Sequence, residues 1–298
     1  MKIHVCGEGL VDLVPVAPGP LHDLTPALGG GPFNVAIAAA RQGADVAFQS
    51  RLSTDGFGNA LVARLRDEGV DTTYVQRGEE PTTLAVTSLA GDRSASYTFY
   101  IEGTADRLVE PVYAPADIAC FGTVSLALEP GASRYAELLK QFSRRGTMVA
   151  LDPNIRPFYA TDEHRAFLKG LFPFVTLLKL SNDEVNFLGE DALKHVPVVV
   201  TTLGSDGLTV KSSRAEVQVP PVRTNVADTI GAGDTIMGTL LAEITRRELR
   251  APDLQELTVA EWRDILTFAA GAASVTVSRR GANPPTRAEV QQKIAAAR

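Results

Sequence analysis

The chain has 298 residues, 45% of them hydrophobic and 21% charged, with a formal net charge of −6. That length and balance suit one large globular domain, with or without a small appendage. The acidic balance argues against a nucleic-acid binder that works through a bulk basic surface, but leaves open anion binding by backbone N–H groups.

Lys2–Cys6 is a short apolar strand. The start, MKIHVCGEGLVDLVPV, has one lysine and reaches Asp12 without a signal-peptide pattern, and no apolar run approaches the roughly 18 residues of a membrane span. A cytoplasmic protein that engages neither membrane nor nucleic acid is expected. Phe33–Gln42 is Ala-rich and helical, with Gly43 as its stop. Asp55–Glu68 is a second helix, with Leu61, Val62 and Leu65 on one face. Thr82–Ile101 departs from this pattern: two strand-like halves flank Ala90-Gly91-Asp92-Arg93, a hairpin signal. Arg134–Arg145 is helical, ends at Gly146 and feeds the strand Thr147–Asp152. Phe174–Leu180 is a strand followed by a helix over Asn182–Leu188. The β-branched run Val196–Thr202 reads as a strand buried on both faces. Ala232–Arg246 and Val259–Val277 are late helices. Cys6 and Cys120 lie in apolar segments, with no CxxC and no His/Cys cluster, and are expected to be reduced and buried.

Strand–helix–strand repetition predicts an α/β fold with a mostly parallel sheet, and ligands beyond the carboxyl ends of its strands. The loops at 7–12, 122–126, 152–157, 180–184 and 203–207 are thereby singled out. No repeat or linker divides the chain, so 1–298 reads as a single domain. Segments 12–18 and 82–101 read as a small β appendage, either a lid or a peripheral hairpin.

The strongest chemical signal is Asp228-Thr229-Ile230-Gly231-Ala232-Gly233-Asp234, because Ile236, Met237, Leu240, Leu241 and Ile244 mark a helix face behind it. Gly231, Ala232 and Gly233 lie where free N–H groups and the helix dipole bind anions. Asp234 would repel a phosphate that was merely held there, and makes sense as the base that takes a hydroxyl proton. The dipole is expected to keep it ionised. No Walker lysine follows the glycines. Read alone, the run also fits a plain Gly-rich helix start. Gly29-Gly30-Gly31-Pro32-Phe33-Asn34 offers close backbone approach and, in Asn34, a donor and acceptor for sugar hydroxyls; a flexible turn fits it too. Gly7-Glu8-Gly9-Leu10-Val11-Asp12 lacks the third glycine of a dinucleotide fingerprint, which weakens a dehydrogenase reading. Asp12 is better placed to hold sugar hydroxyls. Arg156, in Asp152-Pro153-Asn154-Ile155-Arg156, would meet a phosphate or an acidic substrate group, or make a loop salt bridge. Tyr100 and Phe99 would touch substrate from the lid or pack the hairpin. His4, His22, His164 and His195 form no spacing pattern.

The stretches GGGPFNVAIAAARQGADVAFQSRLSTDGFG (29–58) and DTIGAGDTIMGTLL (228–241), in this order, resemble the two signatures of the ribokinase-like carbohydrate kinases, the PfkB family, and the likeness runs from about residue 3 to 290. The resemblance implies a three-layer sandwich with a small β-sheet lid. It implies sugar binding by Asp12, Gly30, Gly31 and Asn34, and catalysis by Asp234 with Gly231, Ala232 and Gly233 as the anion hole. The family's Asn-x-x-Glu motif falls at Ser181-Asn182-Asp183-Glu184, where Ser181 replaces the usual Asn, and ties Glu184 indirectly to Mg²⁺ and ATP. Thr202, Gly204 and Gly207 match the nucleotide loop, Ala270 a position near adenine, and Gly281-Ala282 a nearby loop. Asp228 and the Ile230 carbonyl match a monovalent-cation (K⁺) site.

The expected activity is transfer of the γ-phosphoryl group of MgATP to a primary hydroxyl of a monosaccharide. GEGLVDLVP, DPNIRP and Tyr-Thr-Phe-Tyr look most like fructokinases; kinases for 2-keto-3-deoxygluconate, ribose or aminoimidazole riboside share the same motifs. A non-catalytic sugar-binding regulator would be expected to lose Asp234. A homodimer paired through the lid is expected.

Overall fold

The structure, a computed structural model, describes residues 1–17, 22–89 and 95–297. Strand β1 (Lys2–Cys6) is followed by β2 (Leu10–Pro15), β3 (Leu24–Gly29), α1 (Gly31–Arg41) and β4 (Asp45–Ser53). Then come α2 (Gly56–Asp67), β5 (Val75–Gly78), β6 (Leu84–Leu89) and β7 (Ala95–Tyr100). From β8 (Ile118–Gly122) the alternation is regular, through α3 (Gly131–Arg144), β9 (Met148–Asp152), α4 (Asp162–Leu171) and β10 (Leu177–Ser181). It continues with α5 (Asn182–Leu188), α6 (Glu190–Leu193) and β11 (Val198–Thr202). The hairpin of β12 (Leu208–Lys211) and β13 (Glu216–Val219) precedes α7 (Ala232–Arg246), α8 (Ala251–Glu256), α9 (Val259–Val277) and α10 (Arg287–Ala296).

The main sheet runs β13-β12-β11-β10-β9-β8-β1-β4-β5. It is parallel from β11 to β5, and the β12–β13 hairpin adds an antiparallel edge. Alternate side chains enter two separate cores. Ile3, Val5, Ile118, Cys120, Val198 and Val200 pack with Phe33 of α1, Met237 and Leu240 of α7 and Ile265 of α9. Ala119, Phe121, Val149, Leu151, Leu178 and Val199 pack with Tyr135 and Leu139 of α3 and Leu168 and Leu171 of α4. Each fully buried Leu, Ile or Phe contributes about 1.5–3 kcal/mol, so both faces of the sheet hold the fold together. Cys6 and Cys120 are free and buried, and no described helix is long and apolar enough to cross a membrane.

Helices α5, α7 and α9 keep their expected bounds. The others shift for local reasons. Pro32 sits in the first turn of α1, which starts at Gly31 rather than Phe33. Phe172–Phe174 forms a 3₁₀ turn, so the strand expected from Phe174 begins at Leu177. Pro197 delays the next strand to Val198.

A second sheet runs β3-β2-β6-β7, with β2 and β6 parallel and both outer pairs antiparallel. Its strand β3 was not anticipated. Residue 18 and the turn at 90–93 lie outside the described residues.

Candidate active site

The carboxyl ends of the parallel strands meet beside the small sheet. Gly122 lies level with Asp152 across β8–β9, and Ser181 with Thr202 across β10–β11. Over this edge opens a cavity of about 360 Å³, within the range of small-molecule sites. Asp12, Gly30, Gly31, Asn34, Arg156, Ile230, Gly231, Gly233 and Asp234 all line it.

Asn34 and Asp234, 200 residues apart, are joined by a 2.8 Å hydrogen bond from Asn34 Nδ2 to Asp234 Oδ2. Two helix starts make this contact. Gly231 caps α7 with a left-handed backbone (φ 74°), and a Cβ there would stand 2.7 Å from the Ala282 Cβ, so glycine alone fits. Asp234 follows three residues later, 8% exposed, with the free N–H groups of the helix start beside it. Gly30 precedes α1 at φ 107°, and its Cβ would stand 2.7 Å from the Glu8 carbonyl oxygen. Beyond Asn34 and Asp234 the helices touch: a Cβ on Gly238 of α7 would be 2.6 Å from Ala38 Cβ and 2.7 Å from Val35 O of α1.

Burial raises the Asp234 pKa above the ordinary carboxylate value, against the Asn34 hydrogen bond and the charges of Lys179 and Arg156. Desolvation thus acts against the helix start, which was expected to keep Asp234 ionised. Burial likewise pushes Asp12, on β2, up to about 6, with Asp234 adding to the rise and Arg156 opposing it. Asp12 and Asp234 thus face one cavity, next to a helix start able to hold an anion and one guanidinium. That set can grip neutral hydroxyls, take a proton and stabilise a transferring phosphoryl group.

Other expected residues fall into separate roles. Tyr100 is not brought to the cavity: strand alternation turns it outward, 60% exposed, and turns Phe99 inward. Phe99 stacks on Phe158 at 4.6 Å, closing the small sheet against the 157–159 turn. Glu184 is occupied as a brace, accepting from Ile155 N at 2.7 Å and from Ser181 N and Oγ at 2.6 and 2.7 Å, in a capping box at the start of α5. Asp228 bridges two loops, accepting from Ile230 N at 3.0 Å and Gly281 N at 2.9 Å. Thr202, Gly204 and Gly207 sit at and just after the end of β11, outside this cavity, and Ala270 lies on the core-facing side of α9. No group of three or more His, Cys, Asp or Glu among the described residues is placed to hold a metal.

The sequence did not single out four polar residues at this edge. Lys179 and Asp152 form a buried ion pair at 2.9 Å. A Cβ on Gly233 would stand 3.3 Å from Lys179 Nζ, which places that cation under the start of α7. Glu8 and Thr123 line the cavity itself. A charged residue inside an otherwise apolar strand, as at Lys179, was the available signal.

Residues 2–289 match the pfkB family carbohydrate kinase. A probable fructokinase-3 of Arabidopsis thaliana is 30% identical over 309 residues, covering 96% of this chain and 88% of the plant protein. A fructokinase of Rhizobium leguminosarum bv. trifolii is 32% identical over 285 residues, 86% of this chain and 85% of its own. Among solved structures, the fructokinase of Xylella fastidiosa with bound ATP superposes with a TM-score of 0.91 at 26% identity, covering 99% of this chain and 98% of its own. The fructokinase of Vibrio cholerae O395 bound to fructose, ADP and calcium superposes with a TM-score of 0.83 at 26% identity, over 99% of this chain and 98% of its own.

Proposed function

The chain belongs to the pfkB family of carbohydrate kinases, and we propose that it transfers the γ-phosphoryl group of ATP to a primary hydroxyl of fructose. The observation that carries this reading is the Asn34–Asp234 pair at the anion-binding start of α7, in the same cavity as Asp12. The fructokinases to which the chain is similar over nearly its whole length support the choice of sugar.

Asp12 and Asn34 orient the sugar. Asp234 takes the proton of the acceptor hydroxyl as its oxygen bonds to the γ-phosphorus, and ADP leaves with the electrons of the broken P–O bond. The N–H groups of Gly231–Gly233 stabilise the charge on the moving phosphoryl group. Ser181, Glu184, Thr202, Gly204 and Gly207 shape the nucleotide side, with Ala270 near the base. With no carboxylate cage in the described residues, Mg²⁺ arrives on the ATP phosphates as part of the substrate. Asp228 retains unused lone pairs beyond its two loop hydrogen bonds, so with the Ile230 carbonyl it fits a K⁺ ion that would neutralise this loop. We read 1–298 as one catalytic domain and the small sheet as its lid. The outward Val16, Leu24 and Tyr100 support pairing of two copies through that sheet, which light scattering tests.

Arg156 on the cavity wall favours a second reading, an acidic sugar such as 2-keto-3-deoxygluconate. A coupled ADP-formation screen with fructose, ribose, ketodeoxygluconate and nucleosides separates the two. Asp234→Asn should lower kcat on the best substrate by about 10²–10⁴ while sugar binding by calorimetry stays intact; near-normal turnover would refute the mechanism.

A further inference from the structure

We propose that Glu8 is a positioning residue for the sugar side of this cavity: its buried carboxylate ties the Gly30–Gly31 turn to the Thr123–Ser125 turn as one rigid edge, and so sets the affinity for the sugar. The inference rests on the kinase reading above.

Glu8 is 2% exposed, and no cation among the described residues lies against it. A buried carboxylate in that state is costly unless donors surround it, and here two chain segments supply three donors. Gly31 N donates to Glu8 Oε1 at 3.1 Å, Thr123 Oγ1 lies 2.6 Å from both carboxylate oxygens, and Ser125 Oγ donates to Oε2. Gly31 starts α1, three residues before Asn34, while Thr123 and Ser125 follow β8. The carboxylate therefore links the substrate-facing start of α1 to the neighbouring strand end.

Thr123 supplies a second, independent observation. It is β-branched yet held at φ 65°, a left-handed conformation that such residues rarely adopt. Strain of this kind persists where the surroundings over-determine it, and it clusters at functional sites. Its hydroxyl is held by Glu8. Its methyl lies against Gly31, where a Cβ would be 2.3 Å from Thr123 Cγ2. Without the carboxylate the Thr123 hydroxyl keeps only the local Gly122 carbonyl, at 2.7 Å, and loses its tie across to α1, so Thr123 and the Gly31 turn can relax together. A purely structural carboxylate would not need to sit in the wall of the cavity, where Glu8, Thr123 and Gly31 all lie.

Burial pushes Glu8 up to about 7, against the Ser125 and Thr123 hydrogen bonds and with the nearby Asp106 adding to the rise. The other titratable groups facing it are the Tyr135 and Tyr159 phenols. Below about pH 7 the carboxyl gains a proton and can no longer accept from all three donors, so the edge loosens and sugar affinity falls. Asp12 titrates at about 6 in the same cavity, so a variant must be compared with the parent at each pH.

The test uses the full chain with fructose and MgATP from pH 5.5 to 9. In Glu8→Gln the KM for fructose at pH 8 should rise at least tenfold, with kcat and the KM for ATP moving far less. The parent's rise in fructose KM between pH 8 and 6.5 should flatten. Thr123→Val, which removes the hydroxyl at constant shape, should raise fructose KM at least fivefold, and it decides the matter alone if Glu8→Gln does not fold. Fructose KM within twofold of the parent in the folded variants, or an equal rise in the KM for ATP, overturns the inference. A parent that phosphorylates no sugar overturns the kinase reading, and this inference with it.

Discussion

Replacing Lys179 by Met keeps an unbranched side chain, one atom shorter, and removes its charge. Lys179 Nζ lies 2.9 Å from Asp152 Oδ2, with the two side chains 6% and 4% exposed. Burial pushes the lysine down, but Asp152, Glu184 and Asp234 outweigh it and hold the ammonium above the ordinary lysine value. Burial pushes Asp152 up to about 7 even with Lys179 beside it. Breaking a buried pair from one side costs roughly 3–5 kcal/mol, because the other charge is left orphaned. At about 2–4 °C per kcal/mol for a chain of this size class, the thermal midpoint should fall by roughly 6–20 °C. The sign with pH follows from Asp152. Its folded pKa lies above its unfolded value, so ionising it opposes folding, and loss of Lys179 raises the folded value further. The deficit should therefore be larger at pH 8 than at pH 5.5. Lys179→Met/Asp152→Asn removes the orphan charge and should recover most of the midpoint in differential scanning fluorimetry. It should not recover turnover, because the cation under the start of α7 is still missing. A drop of less than about 2 °C in the single variant, or a double variant no more stable than the single, would refute the argument.

Two further perturbations address the contact between α1 and α7. Asn34→Ala deletes the donor to Asp234, a hydrogen bond to a charged group worth about 1.5–3 kcal/mol. The Asp234 pKa should rise further, moving the acidic limb of the kcat/KM profile to higher pH; an unmoved limb counts against Asp234 as the titrating base. Gly238→Ala places a Cβ 2.6 Å from Ala38 Cβ and 2.9 Å from Ala39 N. The overpacking should cost about 1–3 kcal/mol, read as a lower melting midpoint, and an unchanged midpoint would show that the helices part freely.

Much of the fold was legible because local chemistry and global packing agree. Helices α7 and α9 show their apolar faces and their stops, and α5 has the Ser181/Glu184 capping box at its start. Strand β3 was not legible: it contains Pro26, and Leu24–Ala27 are exposed, so it has no alternation to read. The side facing the cavity on β7 depends on register, and that is why Phe99 replaces Tyr100. Glu8 read as part of a broken glycine motif, since its donors lie 23, 115 and 117 residues away. Lys179 acquired a meaning only when β9 placed Asp152 beside it. Asp234 and Asn34 were each ambiguous alone, and their hydrogen bond is a long-range fact that neither local pattern contains.

The crossing of α1 on α7 also orders events on the ribosome. A growing chain holds Asp12 and Asn34 long before it holds Asp234, which lies 200 residues beyond Asn34. At about 5–20 residues per second that interval lasts on the order of 10–40 s. During it Phe33, Val35 and Ile37 wait without the α7 layer that buries them, so chaperones meet an uncovered first helix. Asp234, the proposed base, arrives with the segment that covers that helix. On the proposed mechanism an unfinished chain has no means to spend ATP, and competence for phosphoryl transfer coincides with closure of the core.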